Sequence, residues 1–100
     1  MAEQSESQKQ TIRRVMHEYK HGELKSGGAR GKVKNPRQAI AIALHEAGAS
    51  NQESPQKNKE RLRNTREKER RGETAEAEAE GKDAQDRTLH GRGKGKSGGA

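Results

Sequence analysis

The chain has 100 residues, of which 24% are hydrophobic and 37% charged, with a formal net charge of +7, one aromatic residue (Tyr19) and no Cys, Phe or Trp. Leu, Ile and Val number nine in all, too few to offset an ordering cost of about 1.5 kcal/mol per residue. The composition therefore excludes a full-length hydrophobic core and predicts that most of the chain lacks a fixed tertiary structure. No run reaches the roughly 20 apolar residues of a bilayer span, and the start MAEQSESQKQ lacks the apolar stretch of a signal peptide. With no Cys, a cytoplasmic location is expected.

Residues 1–10 read as a flexible N-terminus, 11–50 as a two-helix unit, and 51–100 as a charged helical and disordered basic tail. The first helix, over residues 5–21, carries Ile12, Val15, Met16 and Tyr19 at i, i+3, i+4 and i+7 on one stripe. Ser5 with Gln8, or Ser7 with Gln10, offers a reciprocal cap, and Gly22 supplies a left-handed end. GELKSGGARGKVK follows as a flexible basic loop in which Leu24 can join the packed face. In NPRQAIAIALHEAG, residues 35–48, Asn35 caps, Pro36 suits the first turn and Gly48 closes the end of a second helix. Ile40, Ala43, Leu44 and Ala47 share its face, and Ile42 falls off it. The fold class is thus mainly α: a short helical hairpin with a basic Gly-rich loop, marginal alone and expected to dimerise or to order on a partner.

After Pro55 the pattern changes. QKNKERLRNTREKERR, residues 56–71, has eight Lys/Arg against three Glu and only Leu62 as an apolar residue, so it reads as a solvated helix with no buried face. GETAEAEAE is an acidic block, and GRGKGKSGGA is a low-complexity basic tail.

HEYKH, residues 17–21, has the HExxH pattern in which two histidines bind zinc and the glutamate activates a water. With Ile12 at 0°, His17 and His21 fall at about 140° and 180° on the helix, away from the apolar stripe and beside Arg13, Arg14 and Lys20. Those cations oppose a dication. A hydrolase also needs a third ligand and a water-excluding cleft, and the extended HExxHxxGxxH form fails because Leu24 stands at its glycine. The expectation is solvated histidines, no metal, no cofactor and no enzyme.

GGARGK, residues 27–32, is one residue short of a phosphate loop and has no Ser or Thr after Lys32. The basic residues support a broader reading, in which Lys25, Arg30, Lys32, Lys34 and Arg37 of the loop reach phosphates without regard to sequence. Lys57, Lys59, Arg61, Arg63, Arg66, Arg70 and Arg71 of the third segment do the same. Base stacking is excluded by the lone Tyr19. A helix-turn-helix is excluded by a loop of about thirteen residues where three or four are needed.

VMHEYKHGELKSGGARGKVKNPRQAIAIALHEAGAS, residues 15–50, resembles a family of small bacterial and phage proteins of unknown function. Its pattern joins VMxEYKxGxLxSG to KxxKQAIAIALSEAG. Val15, Met16, Glu18, Tyr19, Lys20, Gly22, Leu24 and Ser26 fall in register with the first segment, and Gln38 to Leu44, Glu46, Ala47 and Gly48 with the second. His45 stands for the usual Ser and Arg37 for Lys. The resemblance brings no catalytic residue. Some members carry the label plasmid stabilisation protein, which implies a maintenance role through a protein partner. The expected function is binding of DNA or RNA backbone by a non-enzymatic protein. The alternatives are that maintenance role and a disordered, stress-protective protein.

Overall fold

The computed structural model describes residues 5–25 and 31–91, and five helices occur among them. They are α1 (Glu6–Lys20), α2 (Pro36–Glu46), α3 (Pro55–Arg71), α4 (Ala75–Glu80) and α5 (Lys82–Leu89). No helix among the described residues is long and apolar enough to cross a membrane. Each of the first four starts at a side-chain cap that satisfies an otherwise unpaired N–H: Ser5, Asn35, Ser54 and Thr74. At α1 the cap is reciprocal, with Gln8 bonding back to the Ser5 N–H at 2.8 Å.

Helix α1 is the centre of the fold and touches the other four helices. Its apolar stripe meets α2 around Val15, Leu24, Val33, Ala39 and Ala43, with Ile12, Met16, Tyr19 and Ile42 packed against them. Ala39, Ala43 and Ala47 are buried at four-residue spacing, and the small side chains of Ala39 and Ala43 let α2 lie close on α1. The shoulder that turns inward carries Ile42. Ile40, expected on the packed face, is 49% exposed.

The basic loop is more ordered at its flanks than its glycines suggest. Lys25 and Lys32 form an isolated antiparallel bridge, and the Val33 N–H donates to the Leu24 carbonyl at 2.8 Å. That pairing delivers both apolar side chains to the core. Residues 26–30, including Arg30, lie outside the described residues. So do residues 1–4 and 92–100, and with the latter nearly all of the GRGKGKSGGA tail.

Residues 5–10 are the capped first turns of α1, as the helix read over residues 5–21 with its Ser5 and Gln8 cap requires, and Gln8 donates to the Gly48 carbonyl at 3.2 Å. Two expectations for the remaining segments are overturned. Helix α3 has a buried face, formed by Thr65 and Glu69. The acidic block forms α4, which buries Glu76 and Ala77. Eight buried apolar side chains are matched by eight buried polar or charged ones, so a pattern search for apolar residues sees half of this interior. The described chain has a Cα radius of gyration of 13.4 Å, near the roughly 13 Å of a folded chain of this length and far from the ~30 Å of an unfolded one.

Gly48 ends α2 at φ +68, and a Cβ there would stand 2.2 Å from the Asn58 carbonyl oxygen at the start of α3. Gly22 has a similar φ of +71, but a Cβ there would meet only the flexible end of Lys32, its Nζ at 4.0 Å. We therefore expect Gly22→Ala to cost about 1–2 kcal/mol for the left-handed backbone alone. Gly48→Ala should cost about 3 kcal/mol or more, because it also pushes α3 off α2. Urea unfolding followed by circular dichroism measures both, and equal losses would contradict the close approach.

Candidate functional site

On the flank of α1 beside its apolar stripe, Thr11, Arg14 and Glu18 recur at i, i+3 and i+7 and are all buried. The Arg14 guanidinium is 2% exposed and donates to a carboxylate on each of three helices. Nη1 meets Glu18 at 2.7 Å, Nη2 meets Glu46 of α2 at 2.7 Å, and Nε meets Glu69 of α3 at 2.9 Å. The Thr11 hydroxyl donates to the same Glu69 oxygen at 2.9 Å, and the Glu76 N–H at the start of α4 donates to Glu18 at 2.9 Å. Burial opposes the Arg14 charge, but the three carboxylates outweigh it and hold the guanidinium well above its ordinary range. Glu18 is raised above the usual carboxylate range by burial, with Arg14 and the Glu76 N–H pulling the other way.

The histidines occupy the next strip of α1, His17 half-buried and His21 exposed, in a groove that Arg13 and Lys20 also line. Arg14 has turned to its carboxylates, and Arg13 donates to the Leu89 carbonyl at 2.6 Å. The rings of His17 and His21 stack with centroids 4.0 Å apart. His17 Nε2 lies 2.8 Å from Glu80 and 3.2 Å from Glu76. Glu23 completes this group: burial, then a hydrogen bond with Glu80, then the charges of Glu80, Glu76 and Glu18 push its carboxyl up to about 8. Glu80 is lowered by its hydrogen bonds with Glu23 and His17. Glu18, the central glutamate of HExxH, is held on the far side by Arg14 and α4, away from both rings.

Of the cations read from the sequence, Lys25, Lys32, Lys34, Arg37, Lys57, Lys59, Arg61 and Arg63 are exposed, and none has a carboxylate at ion-pair distance among the described residues. Lys59 and Arg63 line one shallow groove on α3. Arg66, Arg70 and Arg71 have other work. Arg66 lies 3.0 Å from Glu69 and donates to Gln10 at 2.8 Å, and Arg70 and Arg71 pair with Glu67. Tyr19 is half-buried, with its hydroxyl on the Lys34 carbonyl at 3.1 Å, and is not displayed for base stacking.

The sequence profile of a family of unknown function, DUF6496, matches residues 3–58. The chain belongs to this family. No curated protein and no solved structure matches it. The DUF6496 segment holds α1, the loop, α2 and the cap of α3, and so supplies Arg14, Glu18, Glu46, His17, His21 and Glu23. Glu69, Glu76 and Glu80, which meet those side chains, come from the part of the chain beyond the match.

Two signals in the DUF6496 protein point to these contacts in retrospect. Thr11, Arg14 and Glu18 have helical spacing, and so do Leu62, Thr65 and Glu69, but each stripe is small and polar where an apolar one is sought. Glu76 and Gln85 carried no signal, since burial of either depends on a partner outside its own helix. Replacing Arg14 with Met leaves Glu18 and Glu69 buried without their counter-charge, which typically costs 3–5 kcal/mol. We expect a loss of about that size for Arg14→Met in urea unfolding, against under about 1 kcal/mol for Arg63→Met on the exposed side of α3.

Proposed function

We propose that this DUF6496 protein is a non-enzymatic, cytoplasmic protein that binds the phosphate backbone of nucleic acid without sequence specificity. The observation that carries the reading is the sorting of charge. Glu18, Glu69 and Glu76 are buried against a single buried cation, Arg14, so the exterior is more positive than the net +7 of the chain. Eight exposed Lys and Arg on the loop, at the start of α2 and along α3 stand free of carboxylates among the described residues. A surface of that kind attracts polyanions and displaces their counterions.

A role through a protein partner, as in plasmid maintenance, draws less support. Ile40 is the one exposed large hydrophobic among the described residues, and a single side chain falls well short of a patch of several hundred Å².

Between 50 and 200 mM salt, duplex affinity should fall roughly 1,000-fold or more if six or more of these cations meet phosphates. The combined variant Lys32→Glu, Arg37→Glu, Lys59→Glu and Arg63→Glu should keep its helical circular dichroism and lower the salt slope by about 4. Heparin retention equal to that of a neutral control, or a slope unchanged in the variant, would contradict the proposal.

A further inference from the structure

We propose that His17, His21, Glu23 and Glu80 form a four-ligand zinc site that ties the end of α1 to the end of α4. Two imidazole nitrogens and two carboxylate oxygens are a donor set suited to a divalent ion of intermediate softness, and four such ligands make a closed tetrahedral site. One donor atom from each of the four residues lies within 4.8 Å of every other. Bonds of about 2.0–2.2 Å to a central zinc place tetrahedral ligands roughly 3.4 Å apart, so the donors close in by up to about 1.4 Å, and because the two rings are stacked the exposed His21 imidazole must also turn to bring its in-plane lone pair to the ion. His17 and Glu23 are half-buried and His21 and Glu80 exposed, which leaves the side chains that room and gives an ion a way in.

The second observation is Glu76. It is 0% exposed, its Oε2 stands 3.2 Å from His17 Nε2, and its Oε1 has no hydrogen-bond partner. Thr88 donates to Oε2 at 2.7 Å and fixes the carboxylate against His17 Nε2, the same ring nitrogen that faces Glu80, so Glu76 adds a buried anionic oxygen at the edge of the site. Glu23 also keeps a buried oxygen, Oε1, without a partner. Glu76 and Glu80 thus converge on His17, and Glu23 on Glu80, with no Lys or Arg at ion-pair distance from any of the three among the described residues, and a dication supplies the missing charge.

The site is structural rather than hydrolytic. Protein side chains fill all four positions, and Glu18, which the HExxH pattern offers for water activation, is bound by Arg14 on the other flank. Zinc therefore acts as a cross-link between segments nearly sixty residues apart in the chain.

Chelator-treated protein titrated with zinc chloride in a calorimeter should bind one ion per chain and melt at a higher temperature with the ion than without. Zinc should move the ring NMR signals of two of the four histidines, His17 and His21, and leave those of His45 and His90. His21→Ala and Glu80→Gln should each weaken binding at least tenfold. His45→Ala should not, although His45 also faces a carboxylate, Glu53, at 3.6 Å. No saturable binding overturns the site. So does affinity undiminished by Glu80→Gln, or equal affinity in the urea-unfolded chain, since either reduces it to two histidines one helical turn apart.

Discussion

The guanidinium of Arg14 is the point on which the fold depends. Its nitrogens reach α2 through Glu46 and α3 through Glu69, and Glu18 relays the contact to the first turn of α4. A buried charge left alone is costly, so every helix that meets Arg14 must arrive with a carboxylate or an N–H in the right place. The network therefore selects which faces meet more than it adds net stability, because any other register leaves a charge stranded in the interior. The small apolar core of Val15, Leu24, Val33 and the α2 alanines closes one side of α1. The polar cluster closes the other.

This division explains what could be read from the sequence. Ile12, Val15, Met16 and Tyr19, the Ser5 and Asn35 caps, and the helix ends at Gly22 and Gly48 follow from local rules, and α1 and α2 form where those rules place them. Ile40 was misplaced because a wheel cannot choose between two shoulders of an alanine stripe. The packing of α3, and α4 and α5 themselves, were hidden for a different reason. Beside Ala77 and Leu89, their inward residues are Thr65, Glu69, Thr74, Glu76 and Gln85, types that prefer water unless a specific partner awaits them. Gln85 illustrates the dependence: it is fully buried because it donates to the Glu69 carbonyl and accepts from Thr74, and neither contact can be inferred from its own helix.

The same logic changes the surroundings of the histidine pair. Arg13 and Arg14 lie beside the rings on the helical wheel, and counting them there makes the strip cationic. In the folded chain Arg14 is drawn off to three glutamates, Arg13 donates to the Leu89 carbonyl while still lining, with Lys20, the groove beside the rings, and α4 adds Glu76 and Glu80 on the other side. Drawing acids inward also leaves the outer surface to lysine and arginine. A low-hydrophobicity chain thus acquires a fold, a basic exterior and a His/Glu cluster from one arrangement of buried charge.

The central claim is that α3 belongs to the folded unit through Arg14 and Glu69 rather than trailing from a two-helix hairpin. Native-state amide hydrogen exchange tests it at residue resolution. The account predicts that amides of residues 62–71 are protected to nearly the same free energy as those of residues 11–20 and 39–46, and open with them. Exchange of α3 at the rate of an unstructured peptide, with α1 and α2 still protected, would contradict it.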